Sequence, residues 1–249
     1  MNKFISFIKN NKGFLIFVAF LFIFRGAIAD WHPVPTGSMK PTILEGDVVW
    51  ENKLAYDLQV PFTDITLMRL GEPKRGDIVV FTSAAAKKRM IKRLVGLPGE
   101  TIEVKNNHIF INGQASEYAH PERASMEPQR DIDKEPGVYA IESRNDLKPH
   151  VVQTKPQYSH NPLRNYPPSH PLGTPCVSNM NRPIKIPVDH YFVMGDNRDN
   201  SADSRCYGFI PRSEIRGHAT STLMSVITKK SWSFWNWRFR TERFFDALN

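Results

Sequence analysis

Gly13 to Phe24 reads GFLIFVAFLFIF, twelve uncharged apolar residues behind a stretch whose only charges are Lys3, Lys9 and Lys12. A run of that kind is not left on the surface of a water-soluble domain; it enters lipid or is removed. Twelve residues are short for a bilayer and suit the core of a cleaved signal peptide, and Ala27-Ile28-Ala29 supplies an A-x-A cleavage site. The flanks favour a retained anchor. Phe4 to Ile8 precede the run, Gly26 to Ala29 and Trp31 extend it, and Arg25 can carry its guanidinium to the interface with its stem in lipid. About 20 residues, roughly 11–30, then suffice for one span. Lysines lie before it and none follows until Lys40, which leaves the amino terminus in the cytoplasm and exports the rest.

Charge is distributed to match. The net charge is +8, of which residues 1–29 contribute +4 and residues 229–249 contribute +3, so the middle is nearly neutral. A nucleic-acid binder places a basic stripe on its folded domain, and none is present here. The tail WSFWNWRFRTERFF holds three of the five tryptophans interleaved with arginines. That pattern suits a membrane–water interface, with packing on the domain as the alternative. Cys176 and Cys206 are the only cysteines. One bridge is open to them in an oxidising compartment, but two buried thiols is the plainer expectation.

The exported part reads as short β-branched or aromatic runs between Gly, Pro and Asn turns. These are Asp47–Trp50, Asp77–Phe81, a strand from Arg89 to a Gly-Pro turn, Ile102–Val104, His108–Ile111 and Tyr191–Met194. Lys105-Asn-Asn107 is a hairpin connection and Asn112-Gly113 another turn. Residues 113–187 hold twelve of the nineteen prolines and four histidines, the composition of a loop-rich insertion. The fold expected is mainly β: a membrane-anchored antiparallel β catalytic core with an inserted, loop-rich second β domain. Its divisions are 1–30 (cytoplasmic end and anchor), 31–112 with 188–228 (core), 113–187 (insertion) and 229–249 (membrane-proximal tail).

Three segments carry candidate chemistry. Pro35-Thr-Gly-Ser-Met-Lys-Pro-Thr42 holds Ser38 on a turn between prolines, just beyond the membrane exit. In Arg89-Met-Ile-Lys-Arg-Leu-Val-Gly-Leu-Pro-Gly-Glu100, period-two alternation puts Lys92 on one face with Met90 and Leu94. Apolar surroundings disfavour the ammonium and lower the pKa, as a general base needs. Arg93 faces the other way and cannot lose its proton. Met194-Gly-Asp-Asn-Arg-Asp-Asn-Ser-Ala-Asp-Ser-Arg205 is a dense, turn-forming loop after an apolar strand. It lacks the spacing of a calcium loop, the eight histidines lack zinc spacing, and there is no phosphate loop, so neither metal nor cofactor is expected.

PTGSMKPT at 35–42, KRGDIVVF at 74–81, KRLVGLPGE at 92–100 and GDNRDNSADSR at 195–205 together resemble type I signal peptidases (leader peptidases). The resemblance runs, in the family's order, from the anchor to about residue 225. It implies Ser38 as nucleophile and Lys92 as general base. It further implies an oxyanion hole from the Ser38 backbone N–H and the Thr36 hydroxyl, Ser201 orienting the lysine, and Asp203 with Arg205 as a supporting ion pair. The substrate would be an extended preprotein signal peptide with small residues at its A-x-A positions. Val34, Pro35, Met39, Ile43, Met90 and Ile91 match the pocket-lining segments. The partners implied are preproteins and membrane lipid, not nucleic acid or metal. The setting is the inner (cytoplasmic) membrane, crossed once, with the catalytic domain on the periplasmic side. Cys206 departs from the pattern, its place being aromatic in most members, and residues 113–187 align with no motif.

Two other readings stand beside this one. A Ser–Lys autopeptidase of the repressor-cleaving type shares the dyad, but its members are soluble and carry a DNA-binding head. An inactive exported β domain that binds partners is the third. The A-x-A at 27–29 also suggests self-cleavage, expected to be minor because Arg25 interrupts the approach to it.

Overall fold

The computed structural model describes residues 10–61, 63, 65–120, 137–154, 182–228 and 237–248. Helix α1, Lys12–Ile23, is followed without a break by a π-helical turn, Phe24–Ile28, and then by strand β1, Ala29–Pro33. The chain continues through β2 (Asp47–Asn52), β3 (Asp57–Gln59), β4 (Thr66–Arg69), β5 (Ile78–Ser83) and β6 (Lys88–Gly96). Next come β7 (Thr101–Lys105), β8 (His108–Ile111), β9 (Gln114–Ala115) and β10 (Glu117–Ala119). Strands β11 (Val138–Arg144) and β12 (Leu147–Thr154) form a hairpin within the insertion; β13 (Ile184–Lys185) and β14 (His190–Met194) lead out of it. A short helix α2 (Ser204–Tyr207) precedes β15 (Ile210–Pro211) and the 14-residue β16 (Ile215–Thr228); β17 (Trp237–Phe239) and β18 (Asp246–Ala247) end the chain.

The main sheet runs β1-β2-β16-β5-β6-β14-β15, with β17 and β18 also paired to β16. Every strand pair in it is antiparallel. Residues of β5 alternate between two apolar layers: Val79 and Phe81 pack with Met90, Leu94 and Val193, while Ile78 and Val80 pack with Val34, Met39, Ile43 and Val49. Such burial on both faces explains the continuous apolar run Ile78–Phe81. A second sheet, β13-β7-β8-β9, buries Ile102, Val104, Ile109 and Ile111 against Phe192 and Met194. Both of its tight turns follow the sequence: Asn106 and Asn107, then Asn112 and Gly113, adopt the positive φ that two-residue hairpins require. Strands β10-β11-β12 make a third sheet. The molecule is mainly antiparallel β, as expected.

Two expectations need correcting. The expected anchor runs over roughly 11–30, but Ala29 and Asp30 belong to β1, which pairs with β2 from Ala29↔Asn52 to Pro33↔Val48. Twelve α-helical residues at 1.5 Å each reach about 18 Å, against a hydrocarbon core of about 30 Å. Among the described residues no helix is long and apolar enough to cross a membrane. Phe4 to Ile8, counted toward the span, lie outside the described residues. Cys206 is disulfide-bonded rather than a free thiol; Cys176 lies outside the described residues. Trp232 and Trp235 also lie outside them, but the end of the tail joins β16 and inserts Arg243, whose NH2 bonds the Asp47 carboxylate at 2.7 Å and the Thr42 carbonyl at 2.9 Å.

Candidate active site

The turn bearing Ser38 leaves the edge strand β1 and is pinned at both ends. Val34 exchanges backbone bonds with the 46–47 turn, its N–H donating to Asp47 and its carbonyl accepting from Gly46. Met39 and Ile43 are buried in the core below the turn. Ser38 itself stays half-exposed. Lys92 comes from the middle of β6, opposite Val79 and on one face with Met90 and Leu94, both buried. Its Nζ lies 2.6 Å from Ser38 Oγ and 3.0 Å from the Ile91 carbonyl, and only 4% of the residue is exposed. Burial disfavours the ammonium and lowers the pKa to about 8, although the Asp203 carboxylate pulls the other way. A buried amine within one hydrogen bond of a hydroxyl can take that hydroxyl's proton.

The 195–205 loop packs against this pair from behind. Asn197 is wholly buried; its Nδ2 donates to the Gly37 carbonyl at 2.9 Å and its N–H to the Ser38 carbonyl at 3.2 Å. A Cβ on Gly195 would collide with the Ser38 carbonyl and the Ser201 hydroxyl, so glycine is needed where the loop crosses Ser38. Asp203 forms a bidentate pair with Arg205 (2.8 Å and 2.8 Å) and accepts the Gly195 N–H at 3.0 Å. Burial works against the Asp203 carboxylate, but the Arg205 guanidinium outweighs it and holds the pKa below the usual range. Ser201 is buried beside these groups, and its hydroxyl adds to the lowering of the Asp203 pKa; among the described residues it makes no hydrogen bond to Lys92, which corrects the expectation that it orients the amine.

On the opposite face of β6, Arg93 is as buried as Lys92 and forks onto Asp196 through Nε at 2.9 Å and NH2 at 2.8 Å. Thr42 donates to the same carboxylate at 2.5 Å. Sequence reasoning set Arg93 aside and passed over Asp196 and Asn197. The available signal was two basic residues in succession on a strand with both faces buried, which demands an acidic partner for the one that stays charged.

A cleft of about 600 Å³ opens over the dyad. Val34, Pro35, Met39, Ile43, Met90 and Ile91 all line it, together with Thr36, Ser38 and Lys92. Thr36 is exposed at its lip. On the side of β6 away from β5, pairing with β14 begins only at Arg93, so along Lys88–Lys92 that edge has no strand partner among the described residues. At the far end His32 lines the cleft, its Nε2 2.6 Å from Glu51, and Asp30 lies alongside. The side-chain donor atoms of Asp30, His32 and Glu51 lie within 4.8 Å of one another. Arg25 at 2.9 Å, Lys53 at 3.5 Å and Arg89 at 3.8 Å already surround Asp30, which makes the cluster an ion-pair network.

Comparison with known proteins joins this geometry to a family. Residues 7–224 match the family described as signal peptidase, peptidase S26, and that match takes in both members of the dyad. The chain belongs to the signal peptidase family. The signal peptidase I of Pseudomonas aeruginosa is 29% identical over 242 residues, covering 90% of this chain and 75% of that protein. That of Aquifex aeolicus is 34% identical over 225 residues, covering 83% and 79%. Among solved structures, a signal peptidase I from Enterococcus faecalis is 27% identical over 60% of this chain and 98% of that one, with a TM-score of 0.32. As a member of the signal peptidase family the protein is a serine endopeptidase.

Proposed function

We propose that this chain cuts signal peptides from exported preproteins by acyl transfer, with Ser38 as nucleophile and Lys92 as general base. The observation that carries the reading is the 2.6 Å contact between Ser38 Oγ and a buried Lys92 amine at the foot of an open cleft. The neutral amine takes the hydroxyl proton as Oγ attacks the scissile carbonyl, then returns it to the leaving amine; water, deprotonated in turn, releases the acyl group. The Ser38 N–H and the Thr36 hydroxyl are the donors for the oxyanion, worth a few kcal/mol each. Asp203 acts on the lysine through its charge, and Ser201 and Arg205 support Asp203 and the loop rather than move protons.

The unpaired edge of β6 suits a substrate that adds as a strand, its backbone bonded along Lys88–Lys92 and alternate side chains entering the cleft. Walls of Val34, Ile43, Met90 and Ile91 give small side chains apolar contact within the cleft. Membrane attachment is part of the proposal. Helix α1 buries none of its residues, and Phe14, Ile16, Phe17, Phe20, Phe22 and Ile23 are exposed on it. The β3–β4 hairpin also exposes Leu67 and Met68. Lipid would cover these surfaces, with the cleft facing the exported side.

Ser38→Ala is the direct test. Processing of a preprotein with an A-x-A site should fall to background in the variant, and processing at the wild-type rate would end the serine-nucleophile reading.

A further inference from the structure

The insertion's hairpin, β11–β12, lies behind the catalytic loop and bonds to three successive residues of it. The Gln153 N–H donates to the Asp196 carbonyl at 2.8 Å, and Gln153 bridges Asn197 as a parallel partner. Glu142 and Arg198 form an ion pair at 2.6 Å with side chains 0% and 1% exposed, and the Tyr118 hydroxyl donates to Glu142 at 2.8 Å. Between these two grips sits Asn197, which holds the Gly37 and Ser38 carbonyls. A peptide unit is planar, so fixing the Gly37 carbonyl also fixes the direction of the Ser38 N–H across the same C–N bond. That N–H is the backbone donor of the proposed oxyanion hole. We infer that the β11–β12 hairpin is a positioning element for catalysis: Glu142 and Gln153, acting through Arg198 and Asn197, set the orientation of the Gly37–Ser38 peptide. The inference rests on Ser38 being the nucleophile and gives the insertion a task none of its sequence motifs announced.

Glu142→Gln tests it, assayed with a peptide substrate in the full-length, detergent-solubilised enzyme well below its melting temperature. The expected result is a kcat lower by roughly ten-fold or more, as for a misaligned oxyanion donor, with KM within about two-fold. The acid limb of the pH profile should not move, because the base is untouched. In an Asn197→Ala background the same substitution should cost little further, since both act on one peptide. A folded Glu142→Gln enzyme with wild-type kcat, or losses that simply multiply with Asn197→Ala, would overturn the inference. Should Glu142→Gln not fold, Tyr118→Phe removes one bond to Glu142 and should lower kcat in the same direction by a few-fold. Wild-type kcat in that variant would overturn the inference equally. A failure of the nucleophile reading is separate: Ser38→Ala would then cleave like the wild type.

Discussion

Lys92 is where the fold's cost and the proposed chemistry meet. Its pKa falls from 10.5 to about 8 because the amine is buried. With Lys92 as the proposed base the active form is the neutral one, so kcat/KM should rise with pH and level off near 8, falling about ten-fold per unit below that. An initial-rate profile from pH 6 to 10 checks this, and a limb near pH 10 would place the amine in water. Stability moves in the same direction. Between 8 and 10.5 the unfolded chain binds a proton that the folded one does not, so stability rises with pH across that window. Below it the penalty is constant at roughly 3 kcal/mol. Lys92→Met should therefore abolish cleavage yet raise the melting temperature at pH 7 by several degrees, an advantage that shrinks toward pH 10.5. Melts at the two pH values decide it. Sequence reading anticipated the lysine's environment because alternation along a strand is local, whereas Arg93's partner Asp196 lies 103 positions away.

At the scale of elements, the 195–205 loop and strand β1 each do something the linear chain disguises. Gly195→Ala must push both the Ser38 carbonyl and the Ser201 side chain aside. We expect at least a ten-fold loss of kcat with unchanged far-ultraviolet circular dichroism, since the sheets do not depend on that contact. Full activity would mean that the loop yields without disturbing the nucleophile. Strand β1 settles how the A-x-A at 27–29 behaves in the folded chain. Ala27 and Ala29 are buried, Ala29 is paired to Asn52, and Asp30 is tied to Arg25 and Lys53. A peptidase binds its substrate extended and accessible, whereas here Ala27 and Ile28 lie in the π-helical turn and Ala29 is already taken up in β1. Intact mass of the detergent-extracted enzyme should show no chain beginning at Asp30; a substantial fraction of that species would show that β1 opens.

For the whole molecule, the body that holds the site begins at β1, and α1 buries no residue. Removing residues 1–23 should leave hydrolysis of a soluble peptide within a few-fold of the full chain. Processing of a preprotein in vesicles should fall far more, because a shared membrane raises the effective concentration of enzyme and substrate. Equal losses in both assays would argue against membrane placement as the helix's task. Strand identity, the Asn-rich hairpin turns and the Ser38 and Lys92 candidates were legible in the sequence alone, since pleat alternation, turn chemistry and motif spacing act over a few residues. What it left open was decided by tertiary packing: Ala29–Pro33 is an edge strand rather than the end of a span, Cys206 is bonded, and β16 joins β2 to β5 at the centre of the sheet. The grip of Asn197 on Gly37 spans 160 positions, and the hairpin that holds Asn197 belongs to a segment without a recognisable motif. Local pattern can nominate a nucleophile and its base. Their alignment depends on buried bonds between distant segments, which form only when the sheets close around them.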